Sequence, residues 1–417
     1  MGVVHPRFFC YTPDMKKNRV VILGGGFSGV ACLKALAASA ASNNLEITLV
    51  DGKPYHLYQP SLYEIVSAPP NISAERLRGA ANIPLDDIVA GTNARFVRGH
   101  VKYWDQKEHQ VYLESGTLPY DILVLALGST SEYFGVPGAR EYSWPLKSFE
   151  DAIRFRNALE RELKTSHGAT TVVISGGGFT GVECAGELAG LLRNLERATE
   201  RTAHVMVVEG CPHLLPGLDA RVSQKARARL EHLGVELRLG TLVERVTKDA
   251  VMLSSKETVQ TRFVLWTSGV RACPLPGVTK DVCGVKGRLS IDPSLHLAGH
   301  EDVYAVGDVA CASGPDGKPL PQTASLAIQE GRHAAETILA TLQRKKSTPF
   351  VAHFEGYVIP VGGRHAFFVS PSGLIVGGFF GWLLRRFIDL NYLASVLGWR
   401  RALPRWFKAT GLFTHND

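Results

Sequence analysis

Short apolar runs rich in valine, isoleucine and leucine alternate along the chain with longer stretches in which alanine and leucine recur at helical spacing. The runs at residues 20–23 and 172–174 each lead into glycines and then into such a stretch. A further apolar run follows each unit and ends in an acid, Asp51 after the first and Glu209 after the second. Buried strands that alternate with helices are typical of parallel sheets covered by helices. The expected fold class is therefore α/β.

The two units are near copies of each other, RVVILGGGFSGVACLKALA at residues 19–37 and TVVISGGGFTGVECAGELAG at residues 171–190. Each holds the pattern GxGxxG between a predicted strand and a predicted helix, with Gly24, Gly26 and Gly29 in the first copy and Gly176, Gly178 and Gly181 in the second. The first glycine permits a tight turn, the second lets the backbone approach a pyrophosphate, and the third lets the helix pack on the strand. The helix N-terminus adds partial positive charge. The repeat predicts two Rossmann-like dinucleotide-binding domains.

The acids at the two strand ends bear on which dinucleotide is bound. Asp51 and Glu209 are placed to accept hydrogen bonds from ribose hydroxyls. A carboxylate at this position repels a 2′-phosphate, so NADH is preferred over NADPH as the nicotinamide cofactor.

The segment VYAVGD at residues 303–308 supplies a further cofactor signal. For Gly307 and Asp308 alone, the alternative is a strand followed by an aspartate N-cap. Beside two glycine loops and the strand end ALGS at residues 126–129, the motif indicates FAD in one site and NADH in the other. In such flavoproteins the aspartate hydrogen-bonds the ribityl chain.

Composition narrows the class of protein. A chain of 417 residues, 45% apolar with 42 glycines, suits two to three globular domains. The net charge of +7 favours an anionic partner. The seven cysteines are scattered without a CxxC pair, which indicates a reducing compartment and predicts no metal site. The first 19 residues lack the apolar stretch of a secretory signal, so none is expected.

The positive charge excess is concentrated in the last 39 residues, which hold six basic residues and two acidic ones. Tryptophan, leucine and phenylalanine are interleaved with these charges. A helix there places apolar residues at 383, 387, 390, 394 and 397 and a narrow polar stripe at 385, 386 and 389. Trp and Arg favour a membrane interface, so an anchor on anionic lipid is predicted. A core helix or a homodimer contact is the alternative. Nucleic acid is not expected, because the basic residues are interleaved with large apolar ones.

Residues 366–384 are uncharged over nearly the length of a membrane span, but the turn-forming sequence SPSG at 370–373 interrupts them. A hairpin is therefore expected rather than a transmembrane helix.

Together these motifs resemble the type II (single-subunit, non-proton-pumping) NADH:quinone oxidoreductases of the pyridine nucleotide-disulfide oxidoreductase-like flavoprotein superfamily. The resemblance is carried by LVDGKPYHLYQPSLYEIVSA at 49–68, YDILVLALGST at 120–130, GGGFTGVECAGELAG at 176–190, LWTSGV at 265–270 and PQTASLAIQEG at 321–331. It implies noncovalent FAD, NADH as donor and a membrane quinone of the menaquinone or ubiquinone type as acceptor. It also implies a peripheral location on the cytoplasmic face of the inner or plasma membrane.

The resemblance also implies roles for single residues. Those that bind the cofactors are Gly24, Gly26, Phe27, Ser28, Gly29, Asp51, Gly52, Ala126, Gly128, Gly176, Gly178, Gly181, Glu209, Gly269, Gly307 and Asp308. Glu183 matches a carboxylate beside the nicotinamide and flavin rings; its alternative is an acid stabilised by the helix dipole. Ala324, Ser325 and Gln329 match the quinone side, although Ser325 stands where the family usually has glutamine.

The implied organisation is an FAD-binding domain at residues 15–135 and 265–345, an inserted NADH-binding domain at 136–264, and a hairpin with amphipathic anchoring helices at 346–417. The implied reaction is hydride transfer from NADH to flavin N5 followed by two-electron reduction of quinone, with Glu183 and Gln329 as catalytic candidates. The alternatives are a sulfide:quinone oxidoreductase, against which the position of Cys184 and the intact second glycine loop argue, and an apoptosis-factor-like flavoprotein of slow turnover. Disulfide reductases are excluded because residues 52–64 hold no cysteine pair.

Overall fold

The computed structural model describes residues 17–39, 41, 44–165, 168–199, 202–273 and 275–413. Cys10, nearly all of the N-terminal stretch expected not to be a signal, and the outer ends of the predicted segments 15–135 and 346–417 lie outside the described residues. The helices are α1 (Phe27–Ala38), α2 (Leu62–Val66), α3 (Ala74–Ala81), α4 (Leu85–Val89), α5 (Ala139–Tyr142), α6 (Phe149–Thr165), α7 (Phe179–Thr199), α8 (Ala220–His232), α9 (Ala324–Leu342), α10 (Phe379–Leu397) and α11 (Trp399–Leu412).

The strands fall into two large parallel sheets and several small ones. They are β1 (Asn18–Leu23), β2 (Leu45–Asp51), β3 (Tyr55–Leu57), β4 (Asn82–Pro84), β5 (Ala94–Arg98), β6 (Val101–Asp105), β7 (Gln110–Leu113), β8 (Gly116–Pro119), β9 (Ile122–Leu125), β10 (Ser129–Ser131), β11 (Trp144–Pro145) and β12 (Thr170–Ser175). They continue with β13 (Ala203–Glu209), β14 (Glu236–Leu239), β15 (Val243–Val246), β16 (Ala250–Leu253), β17 (Thr258–Gln260), β18 (Phe263–Trp266), β19 (Val270–Ala272), β20 (Val303–Ala305), β21 (Tyr357–Pro360), β22 (Ala366–Val369) and β23 (Ile375–Val376).

The first large sheet has the strand order β20-β9-β1-β2-β5, with its strands parallel. Its central strand β1 is apolar on both faces because helices cover it, and Val20, Ile22 and Leu23 are fully buried. Helix α9 packs along α1, and a Cβ added to Gly331 would lie 2.1 Å from the carbonyl oxygen of Ser28. Only glycine permits this approach, which brings the late part of the chain against the first glycine loop.

The second large sheet has the strand order β11-β18-β12-β13-β14, again parallel, and all of its strands come from residues 144–266. Val172, Ile174 and Leu265 are fully buried beneath helices that include α7. Each sheet therefore repeats the arrangement of strand, glycine loop and helix. The prediction of an α/β fold with two Rossmann-like units is confirmed.

Three-stranded antiparallel sheets flank these units, with orders β6-β7-β8, β15-β16-β17 and β21-β22-β23. In the last of them, Val369 pairs with Ile375 across the turn at residues 370–374, so the predicted hairpin is confirmed. Within the described residues no helix is long and apolar enough to cross a membrane.

The polar stripe predicted on the C-terminal helix is present on α10 (Phe379–Leu397), but it is buried. Arg385, Arg386 and Asp389 are only 4%, 4% and 6% exposed. Arg385 pairs with Asp389 on the same helix, and Arg386 pairs with Glu64 of α2. Charges are tolerated in a protein interior when they are paired in this way. The stripe therefore faces the protein core instead of water.

Large apolar side chains point outward from α10 and α11. We call this surface the apolar face, and its residues are Phe379, Phe380, Leu383, Phe387, Ile388, Trp399, Leu403 and Phe407. Phe380 is 68% exposed and Phe407 is 65% exposed. Large exposed apolar side chains on two packed helices are typical of a protein or membrane contact.

Replacing Arg386 with methionine is expected to lower the free energy of unfolding by about 3–5 kcal/mol, because Glu64 would remain buried without its ion-pair partner. Urea unfolding of the flavin-loaded protein measures the change. The matched control is Arg227→Met, which breaks the exposed pair with Glu231 in α8 and is expected to cost less than about 1 kcal/mol. Equal losses in the two variants would contradict a stabilising role for the buried pair.

Candidate functional site

The first glycine loop joins the end of β1 to the start of α1. Gly24 has φ +114°, and a Cβ there would lie 2.2 Å from the carbonyl oxygen of Ala126. A Cβ on Gly29 would lie 1.9 Å from the carbonyl oxygen of Gly24. At Gly26, in contrast, a Cβ would meet nothing within 4 Å. The loop is thus closely packed except at Gly26, where the backbone borders open space and fits the approach of a pyrophosphate.

Asp51 holds this loop against the end of β2. One carboxylate oxygen accepts a hydrogen bond from the backbone N–H of Gly25 at 2.7 Å, and the other accepts from the N–H of Lys53 at 2.8 Å. Because each carboxylate oxygen has two lone pairs, the side chain can still accept from ribose hydroxyls.

Asp308 lies three residues after the end of β20. Its carboxylate accepts a hydrogen bond from the Ser129 hydroxyl at 2.5 Å, and the Lys147 ammonium donates to that hydroxyl at 3.0 Å. Burial lowers the pKa of Lys147, although Asp308 opposes this. Lys147 was not among the sequence-predicted residues. Lys147 follows β11 in the sequence, and nothing in the local pattern shows that it would reach Asp308.

Gly307 joins this cluster through its backbone. It has φ +75°, and its N–H donates to the buried carboxylate of Glu330 at 2.5 Å. Burial raises the pKa of Glu330 to about 7. The Ser28 hydroxyl donates to the carbonyl of Val306 at 3.3 Å. Sequence reasoning missed Glu330, which stands directly between the predicted Gln329 and the close-packed Gly331.

The second glycine loop repeats the first almost contact for contact. Gly176 has φ +109°, and a Cβ on Gly181 would lie 1.9 Å from the carbonyl oxygen of Gly176. Glu209 accepts from the N–H of Gly177 at 2.6 Å and from the N–H of Cys211 at 2.8 Å. Like Gly26, Gly178 has nothing within 4 Å of a built Cβ. Each of the two large sheets therefore carries a glycine loop of the same geometry.

The remaining predicted cofactor residues have different surroundings. Gly128 has φ +71° and borders open space, whereas a Cβ on Gly269 would lie 3.0 Å from the Phe134 ring. Gly52 lies directly against the His100 ring. Of these three, Gly128 is the one whose backbone borders free space.

Phe27 packs into an aromatic cluster that connects the first loop to α10. Its ring centroid lies 4.9 Å from that of His56 and 5.1 Å from that of Tyr392. The two nitrogens of His56 lie 2.8 Å from the Gly25 carbonyl oxygen and 2.7 Å from the Tyr392 hydroxyl. Burial lowers the pKa of His56 to about 4, so the ring is neutral and donates one hydrogen bond while accepting another. Sequence reasoning missed this connection.

Glu183 lies on α7 between the buried residues Val182 and Cys184. Burial raises the pKa of Glu183 to about 8; Arg385 opposes the rise, and Glu64 and Glu187 add to it. Stabilisation by the helix dipole would lower the pKa and fades beyond the first turn, which Glu183 has already passed. The helix-dipole alternative therefore does not fit, and the raised pKa favours the protonated carboxyl group near neutral pH.

The quinone-side candidates lie at the start of α9. Gln329 accepts from the N–H of His353 at 2.8 Å and donates to its carbonyl at 3.0 Å. Ser325 donates to the carboxylate of Glu355 at 3.0 Å. Ala324 is the first residue of the helix. Gln329 and Ser325 thus hold the 353–355 segment, and an acceptor that used their polar groups would have to share or replace these bonds.

All six cysteines in the described part of the chain are free thiols, and two of them, Cys32 and Cys184, are fully buried. Burial raises the pKa of Cys32 to about 12 and raises that of Cys184 well above its usual value. A reactive cysteine requires an accessible thiolate, which neither residue provides.

Comparison with known proteins agrees with this geometry. Residues 18–331 match the family described as pyridine nucleotide-disulphide oxidoreductase. The type II NADH:quinone oxidoreductase of Staphylococcus haemolyticus is 27% identical over 84% of this chain and 88% of its own length. The type II NADH:quinone oxidoreductase Ndh of Mycobacterium tuberculosis is 29% identical over 91% of this chain and 85% of its own.

Solved structures share the fold. Two structures of NDH2 from Plasmodium falciparum, one of them in complex with NADH, superimpose with TM-scores of 0.82 and 0.80 at 16% identity, covering 96% of this chain and 100% of theirs. The sulfide:quinone oxidoreductase of Aquifex aeolicus superimposes with a TM-score of 0.75 at 18% identity over 91% of each chain.

Proposed function

Since the chain belongs to the pyridine nucleotide-disulphide oxidoreductase family, we propose that it is an FAD-dependent NADH:quinone oxidoreductase that does not pump protons. The observation that carries the proposal is the pair of matching glycine loops, each closed by an acid that accepts two backbone hydrogen bonds. Two such loops supply one site for a resident dinucleotide and one for a dinucleotide substrate. The names of the two bacterial relatives support NADH and quinone as substrates.

We assign noncovalent FAD to the first loop and NADH to the second. The first site fits FAD because Asp308, Ser129 and Lys147 add a polar cluster for a ribityl chain. The second site fits NADH because Glu209 repels a 2′-phosphate. The corresponding domains are residues 15–135 with 265–345 for FAD and residues 136–264 for NADH, except that β18 (Phe263–Trp266) carries the second sheet two residues past that boundary.

When bound, FAD supplies the flavin that takes a hydride from NADH and passes two electrons to quinone. The chain's own residues bind and position the reactants. The open backbone at Gly26 and Gly178 receives the two pyrophosphates, and the N-termini of α1 and α7 favour their negative charge. Glu183 keeps a proton on its carboxyl group at neutral pH and can deliver it to the reduced quinone.

Quinone is favoured over sulfur substrates because Cys184 lies buried on α7 as a protonated thiol. A sulfide oxidoreductase needs a reactive cysteine near the flavin. The apoptosis-factor-like alternative differs in rate, since it would bind NADH but turn over slowly.

The protein is further proposed to lie on the cytoplasmic face of the inner or plasma membrane. The apolar face supports this location, since Phe and Trp side chains buried at the acyl boundary contribute about 1.5–3 kcal/mol each. Anionic lipid is the partner assigned to it; a second copy of the chain is the competing partner.

The test is anaerobic mixing of the purified yellow protein with NADH, NADPH or sulfide, followed by addition of a quinone. NADH is expected to bleach the flavin absorbance faster than NADPH, and quinone is expected to restore it. Bleaching by sulfide but not by NADH would overturn the proposal. Rapid bleaching by NADH with slow return in every quinone would favour the apoptosis-factor-like alternative.

A further inference from the structure

A groove of about 370 Å³ opens where the turn between α10 and α11 meets α1 and α4. Its charged lining consists of Lys34, Asp87, Arg400 and Arg401, and Trp399 forms an apolar wall. None of the residues that line it belongs to either glycine loop, since they come from α1, α4, α10, α11 and the turns beside them.

Positive charge in this groove exceeds negative charge by three to one. The half-buried side chain of Lys34 has no hydrogen bond or ion pair within the described residues, and neither has the exposed side chain of Arg400. Arg401 donates a hydrogen bond to the backbone carbonyl of Asp87 at 3.3 Å, and its guanidinium lies 4.0 Å from the Asp87 carboxylate. Burial lowers the pKa of Lys34, and the nearby charge of Arg401 lowers it further.

The N-terminus of α11 adds to the excess of positive charge in the groove. Arg400 and Arg401 occupy the first turn of α11, where the helix dipole is positive and cations are unfavourable. The N-cap is Gly398, with φ 77°, and no side chain caps the helix. An anion in the groove would offset both the dipole and the excess of positive charge.

The groove is continuous with the apolar face. Trp399, which lines it, is 54% exposed and belongs to that face. Tryptophan and arginine together favour the level of lipid headgroups, with the indole toward the acyl chains and the cation toward phosphate. An anion held here would carry an apolar tail along the apolar face.

We propose that the groove formed by Lys34, Arg400, Arg401 and Trp399 binds the phosphate headgroup of an anionic phospholipid. The inference rests on the proposed membrane location and gives it a specific site: the lipid is held by its phosphate, and the apolar face contacts the surrounding acyl chains.

The experiment measures partitioning of the flavin-loaded full chain onto vesicles of phosphatidylcholine, with and without phosphatidylglycerol. The test variant is the double substitution Lys34→Gln and Arg401→Gln. The matched control is Arg245→Gln with Lys248→Gln, which removes the same two charges from exposed positions on and beside β15. The groove variant is expected to bind the anionic vesicles about thirtyfold more weakly than wild type, and the control less than about threefold. NADH oxidation with a water-soluble quinone should be unchanged in both.

The possible outcomes distinguish the proposed headgroup site from the proposed membrane location. Equal losses in the two variants would overturn the headgroup site while leaving membrane binding intact. Wild-type protein that binds neither vesicle would overturn both the site and the membrane location. If soluble glycerol phosphate binds wild type but not the groove variant, and vesicle binding is the same in both, the groove is a site for a free phosphate and the proposal fails.

Discussion

Gly26→Ala is expected to yield a folded protein that no longer retains flavin, whereas Gly178→Ala is expected to remain yellow but respond poorly to NADH. Both glycines border open space, and Gly26 has the ordinary φ of −77°, so alanine fits the backbone of the free protein. The added methyl group would then occupy the path of the pyrophosphate. Overpacking of this kind costs about 1–3 kcal/mol, which is roughly a 5- to 150-fold loss of affinity.

Flavin content after purification and the KM for NADH are the two measurements. Gly29→Ala and Gly181→Ala serve as contrasts, because in each a Cβ would lie 1.9 Å from a backbone oxygen and should disrupt folding itself. Loss of flavin from Gly178→Ala with retention in Gly26→Ala would reverse the assignment of the two sites.

Glu183→Gln is expected to slow the reoxidation of the reduced flavin by quinone about a hundredfold while leaving its reduction by NADH within about twofold, since a positioned proton donor typically contributes that much. Stopped-flow measurement of each half-reaction separates the two effects. In wild type the quinone step should also slow above pH 8, because the carboxyl group, whose pKa is about 8, then loses the proton that it delivers. The variant should lack this pH dependence.

Glu187→Gln is the matched control for this prediction. Glu187 lies one turn along α7, and its charge helps to raise the pKa of Glu183. Removing that charge should move the pH transition to lower values without abolishing it. If both half-reactions are unchanged in Glu183→Gln, Glu183 has no role as proton donor and the proton comes from water.

The glycine loops were predictable because their function requires local geometry. A tight turn, a bare backbone and a close helix each demand glycine at a fixed spacing, and the acids at the strand ends follow from the same unit. Asp51 and Glu209 accordingly lie beside Gly25 and Gly177.

The orientation of α10 was not predictable from its periodicity. Helical spacing shows that residues share a face, but it does not show which face is buried. That choice depends on Glu64, whose partner Arg386 is 322 residues away along the chain. The contacts of Lys147, Glu330 and His56 also join different elements of the fold, so no pattern within one element marks them.

The position of β20 has a consequence for the order in which the protein forms during synthesis. This strand completes one edge of the first sheet by pairing with β9, and α9 then covers α1. Strands of the second sheet all lie within residues 144–266, so that sheet can close on the ribosome while the first still awaits residues 303–342. The unit that begins first is therefore completed last, and its apolar surfaces depend on the nascent chain being finished or on chaperones until then.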